Sequence, residues 1–114
     1  MAKIRYSDSA ILDKAIAQKL IREFFESKQM PELSEKHIQV FIDELDSKLD
    51  LLEGNPALYP IRRDYFYGKT KRPVRSFICH WFIVFYVYYE DSDEVVIYFI
   101  RSSKSDYSNV INLF

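Results

Sequence analysis

The chain has 114 residues, 48% of them hydrophobic and 29% charged, with a net charge of −1. That suffices for one domain with its own core, and the net charge by itself points neither toward nor away from nucleic acid. The single cysteine, Cys79, has no partner within the chain, which excludes an internal disulfide. Without an apolar leader core at the N-terminus or any run approaching ~18 apolar residues, a membrane span is not expected and a cytoplasmic protein is.

The charges are uneven. Met1 to Glu53 holds eight Lys/Arg against eleven Asp/Glu, and Gly54 to Phe114 eight against six. Within the second half, Arg62, Arg63, Lys69, Lys71, Arg72 and Arg75 are opposed only by Asp64. A basic patch on a near-neutral protein reads either as a surface that meets a partner or as a solvated loop.

Taken in order, Lys3 to Tyr6 alternates polar and apolar, the period of a short strand. Ser7, Asp8 and Ser9 offer N-cap side chains for a helix that ends near Ser27 to Gln29. Its apolar stripe is expected on Ile11 or Leu12, Ala15 or Ile16, Leu20 and Phe24. Pro31 interrupts, and Ser34, followed by Glu35, reads as the N-cap of a second helix. There Ile38, Phe41, Ile42, Leu45, Leu49 and Leu52 keep the helical period while Asp43, Glu44, Asp46, Lys48 and Asp50 fill the other side. Gly54 at a C′ position and Pro56 close it, which makes the two helices an antiparallel hairpin.

Tyr65 to Tyr67 is predicted as a short edge strand before a turn at Gly68. Three consecutive strands follow, Val74 to Cys79, Trp81 to Tyr89 and Glu94 to Arg101, the last two joined by the polar Asp91-Ser92-Asp93 turn; Val, Ile, Phe and Tyr dominate them. The tail ends in Val110, Ile111, Leu113 and Phe114, suited to a short helix or arm that docks. The whole is an α+β domain, residues 1–114, with the N-terminal strand and helix hairpin on one face of a mainly antiparallel, roughly four-stranded sheet. Along the middle strand Phe82, Val84, Tyr86 and Tyr88 share one face and Ile83, Phe85, Val87 and Tyr89 the other. The face not under the helices is expected to be an exposed apolar surface, of the kind that marks a binding site.

No metal or cofactor site is expected: Cys79 and His80 are neighbours that point to opposite faces of a strand, His37 is the only other histidine, and two glycines make no phosphate loop. The same alternation argues against a Cys79–His80 nucleophile. What remains is a cationic set with aromatic neighbours, Arg62, Arg63, Lys69, Lys71, Arg72, Arg75, Arg101 and Lys104, with Tyr107 nearby. Guanidinium groups stabilise charge on phosphoryl oxygens, and they grip acidic protein surfaces equally well.

The order of these features resembles the RelE/ParE superfamily of toxins from bacterial type II toxin–antitoxin modules. The resemblance rests on an N-terminal strand, a helix hairpin ending in Leu51 to Pro56 (LLEGNP), and an arginine-led strand at Arg75 (VRSF). It continues in a strand of aromatic-x-I/V-x-Tyr form from Phe82 to Tyr86 (FIVFY) and an apolar strand closing in a charged tail (VVIYFIRSSKSDY). It implies a compact toxin neutralised by a cognate antitoxin. Members that cleave ribosome-bound mRNA carry an arginine in the strand that here reads FIVFY, and Ile83 stands at about that position. Arg75 matches the leading arginine of that branch, Lys104 and Tyr107 its tail cluster. The SSKSDY tail, with Lys104 and Asp106, looks more like the ParE branch, whose members poison DNA gyrase, and the near-neutral charge suits that branch better than a ribosomal RNA site.

The expectation is therefore a ParE-like toxin that binds a protein target and an antitoxin through Arg62, Arg63, Lys69, Lys71, Arg72, Arg75, Arg101 and Lys104. The alternatives are an mRNA endonuclease using Arg75, Arg101, Lys104 and Tyr107, and an inactive homologue that binds only antitoxin.

Overall fold

The computed structural model describes residues 1–62 and 72–103. The expected strand at Tyr65 to Tyr67 and the docked tail at Val110 to Phe114 lie outside those residues. The elements are β1 (Lys3–Tyr6), α1 (Asp8–Ser27), α2 (Ser34–Gly54), β2 (Arg75–Cys79), β3 (Phe82–Tyr89) and β4 (Glu94–Ser102), with a 310 turn at Pro31–Leu33 between the helices. The sheet order is β1-β4-β3-β2, with β1 parallel to β4 and the other pairs antiparallel. The fold is thus α+β with a mixed, mostly antiparallel sheet under a helix hairpin.

Ser7 starts α1: its backbone is extended and its Oγ accepts from Ala10 N at 3.0 Å, satisfying one of the orphan N–H groups of the first turn. The same hydroxyl donates to Tyr98 O at 3.0 Å and so also caps the open edge of β4. At the other end Gln29 takes a left-handed backbone, φ 59°. Met30 N there returns to Phe25 O at 2.8 Å. No N-cap serine opens α2. The 310 turn runs straight into the helix, Ser34 N bonds back to Pro31 O, and the buried Ser34 Oγ has no partner among the described residues. Gly54 is the last helical residue and has no left-handed backbone; Asn55 follows as C-cap, its N–H bonding to Leu51 O at 3.0 Å.

The main core lies between hairpin and sheet. From α2 it takes Ile38, Phe41, Leu45, Leu49 and Leu52, as the helical period predicts. From α1 it takes Ala10, Ala17, Ile21 and Phe25, with Asp13 buried in the same line. This corrects the expected stripe: Leu12, Ile16, Leu20 and Phe24 remain 39–61% exposed. Two apolar lines run along α1, and the one with alanines faces inward because α1 packs chiefly on β4; small side chains allow that approach. Asp13 is held there because its carboxylate accepts from Ile100 N at 3.0 Å and pairs with Arg101. It thereby serves the stretch of β4 that β1, ending at Tyr6, no longer covers.

The strand alternation holds. Phe82, Val84 and Tyr86 face the helices, while Ile83, Phe85 and Val87 join Val74 and Phe99 in a second cluster on the far side. A register shift between Phe85 and Tyr86 leaves Tyr98 as the extra residue of β4, which puts it beside Phe99 in that cluster. The expectation of a bare apolar far face is corrected as well, since Phe85 and Val87 are fully buried. Among the described residues only Ile78, on the edge strand β2, is a largely exposed apolar side chain there, at 62%. No helix among the described residues is long and apolar enough to cross a membrane.

Candidate functional site

Among the basic residues picked out in the sequence, Arg62, Arg72, Arg75 and Arg101 are described; Arg63, Lys69, Lys71, Lys104 and Tyr107 lie outside the described residues. Three of the four lie over aromatic rings of the far face. The guanidinium of Arg62 lies 6.0 Å from the Phe85 ring, that of Arg72 4.8 Å from Tyr89, and that of Arg101 4.9 Å from Phe99. Each such contact contributes about 0.5–1 kcal/mol and lays a planar cation against an aromatic face. Arg72 also approaches Asp91 at 3.7 Å, and Arg101 holds Asp13. Arg5, on the neighbouring strand, bonds Glu94 at 3.0 Å.

Arg75 is set apart. Alternation along β2 turns it with Phe77 and Cys79 toward the helices, and its Nη1 donates to Tyr59 O at 2.7 Å and Ala57 O at 3.4 Å. It fastens the loop that leaves α2, beside Tyr86, whose hydroxyl donates to Pro56 O at 3.0 Å.

Three hydroxyl or thiol groups of the sheet, on Tyr98, Tyr86 and Cys79, are held in their neutral forms. Tyr98, hydroxyl-bonded to Tyr89 on the far face, is pushed well above the usual tyrosine range by burial first and by Tyr89 second. Burial likewise pushes the Tyr86 hydroxyl and the Cys79 thiol up to about 12 each, so Cys79 carries no thiolate at neutral pH. The two histidines meet on the helix side of the sheet. Among the described residues no group of three or more His, Cys, Asp or Glu is arranged to hold a metal ion.

The surface that sequence reasoning missed lies on α1. The outward line Leu12, Ile16, Leu20, Phe24 runs into a groove of about 250 Å3 lined by Leu20, Phe24, Trp81, Ser102 and Ser103. Phe24 meets Trp81 edge-on, their ring centroids 5.2 Å apart, and Lys28 Nζ lies 5.8 Å from the centroid of the Phe24 ring. Ser103 N donates to Trp81 O at 2.9 Å, which joins the end of β4 to the β2–β3 turn. An exposed apolar line flanked by the Lys19–Glu23 and Arg22–Glu35 ion pairs is chemically a protein-contact surface. Its signal in the sequence was the second set of i, i+4 apolar residues, which was assigned to the core instead.

The sequence model of the ParE toxin family, described as the ParE toxin of the type II toxin–antitoxin system parDE, matches residues 27–107. That span is more than half of the chain and covers α2, the whole antiparallel part of the sheet and Arg62, Arg72, Arg75 and Arg101. The chain belongs to this family and is a toxin component of the type II class. No curated protein matches it.

Proposed function

We infer that the chain acts by binding a protein target, DNA gyrase being the target its branch suggests, and that a cognate antitoxin neutralises it. The observation that carries this reading is the outward apolar line of α1 ending in the Trp81 groove, set beside arginines already engaged within the chain. Apolar line and groove supply the desolvated centre of an interface. The basic residues Arg62, Arg63, Lys69, Lys71, Arg72, Arg75, Arg101 and Lys104 are assigned the role of steering acidic partners, Arg62, Arg72 and Arg101 doing so from the opposite side of the sheet. Arg101 and Arg72 each face an acidic side chain, an arrangement better suited to orienting guanidinium groups for a partner than to receiving a phosphate.

The test is induction of the chain in growing cells while both DNA breaks and new RNA ends are followed. Breaks that vanish in a strain with a toxin-resistant gyrase are expected. RNA cuts positioned by codon, without breaks, would overturn the reading in favour of the endonuclease, and unimpaired growth would reduce the chain to an antitoxin-binding homologue.

A further inference from the structure

The only two histidines of the chain touch each other. His37 Nδ1, on α2, lies 3.1 Å from His80 Nε2, in the β2–β3 turn, and the other ring nitrogen of His80, Nδ1, is buried with no partner among the described residues. His80 has a left-handed backbone, φ 55°, a conformation unfavourable to a residue with a Cβ. Two contacts from α2 hold it there: the ring of His37, and Glu44, whose Oε2 accepts from His80 N at 2.7 Å. His37 in turn stacks on Phe25, centroids 4.5 Å apart, and His80 lies 4.6 Å from the Trp81 ring.

Proton bookkeeping at this contact is restrictive. A neutral pair carries two N–H groups on four ring nitrogens, and one of them lies in the His37–His80 hydrogen bond. A third proton leaves a single bare nitrogen. If that nitrogen is His80 Nδ1, two N–H groups point at each other across the 3.1 Å contact. If it is any other, a donor is placed on the buried His80 Nδ1, which no described group accepts from, and a buried donor without an acceptor is costly. Every singly protonated form is therefore penalised, and a doubly protonated pair incurs both penalties.

We propose that the His37–His80 pair is a pH-sensitive latch between α2 and the β2–β3 turn, which parts on acidification and displaces Trp81 from its groove. The charged groups around it do not cancel the effect. On α2, Glu44 faces the turn but is shared with Lys48 at 3.3 Å. From α1 the neighbours are the uncharged rings of Phe24 and Phe25, with Lys28 over Phe24 and Arg22 bonded to Glu35. From the end of β4 there is Ser103, and β2 brings Cys79, whose Sγ faces Phe41 O.

In agreement, burial first and the neighbouring His37 second hold His80 below the usual histidine value of 6.5, against the opposing pull of Glu44. A histidine depressed in the folded state contributes stability that is complete above its unfolded value and is lost as pH falls below about 6.5 toward the folded value.

The experiment combines the imidazole C2–H resonances of the two histidines with emission from Trp81, the single tryptophan, between pH 8 and pH 5. Expected is a Trp81 emission change that follows the His80 titration, and a His80 midpoint that rises in His37→Gln, where the opposing charge is gone. His80→Asn keeps a residue tolerant of the left-handed turn and should abolish the emission change. An emission change that persists in His80→Asn, or a His80 midpoint unmoved by His37→Gln, would overturn the latch. The two variants report separately, so failure of one to fold leaves the other decisive, and neither depends on what binds the groove.

Discussion

Asp13 is a charged residue in the middle of a buried helix line, and its role follows from what surrounds it. Its carboxylate takes the N–H of Ile100 and the guanidinium of Arg101, so removing it strands a buried donor and a half-buried cation together. Asp13→Ala is expected to cost about 3–5 kcal/mol, the usual result of breaking a buried pair from one side, read as a lowered urea midpoint at unchanged slope. Asp13→Asn, which keeps an oxygen for Ile100 N, should cost less. Arg101→Ala leaves the Asp13 carboxylate in place without its cation and should also destabilise. A loss of toxicity in Arg101→Ala is consequently a statement about catalysis or binding only if the denaturation midpoint is measured beside it. Nothing in the local sequence marks Asp13 for this role, because its partners are 87 and 88 positions away. Arg75 was legible as a strand-leading arginine but not as a fastener of Ala57 and Tyr59, for the same reason.

The two helices differ in how far their sequences disclose their packing. Helix α2 has one apolar line and one acidic side, and Leu45 is fully buried as that pattern requires; Leu45→Ala should lower stability by about 2–5 kcal/mol. Helix α1 has two apolar lines one residue apart, and periodicity alone could not choose between them. The choice is made by β4, against which only the alanine-bearing line fits closely. Paired substitutions test this directly: Ile21→Ala should cost about 2–5 kcal/mol, whereas Leu20→Ala, at a residue 39% exposed, should cost less than about 1 kcal/mol. Equal losses would mean that the helix is rotated from the orientation described. Among the strands, the alternation of β3 was legible because one residue in two must face each way. That its far face would be roofed by guanidinium groups was not, since a cation over a ring leaves no periodic trace.

At the scale of the molecule, the hairpin and sheet leave an apolar surface on the outside of α1 and an arginine-roofed aromatic layer on the opposite side of the sheet. The order of elements, legible from the sequence, was enough to suggest a RelE/ParE-type toxin, and the match to the ParE family over residues 27–107 agrees with it. The working surface was less legible, because an apolar residue kept for a partner has the same sequence signature as one kept for the core. If that surface is the one used, Phe24→Glu should abolish toxicity while moving the thermal midpoint by no more than a few degrees, since Phe24 is 41% exposed and surface substitutions are cheap. The most direct measurement is plasmid cleavage by purified DNA gyrase with the purified chain added. The account predicts linear plasmid with the native sequence and none with Phe24→Glu. Intact plasmid with the native sequence, together with codon-positioned cuts when the chain is added to translating ribosomes, would contradict it.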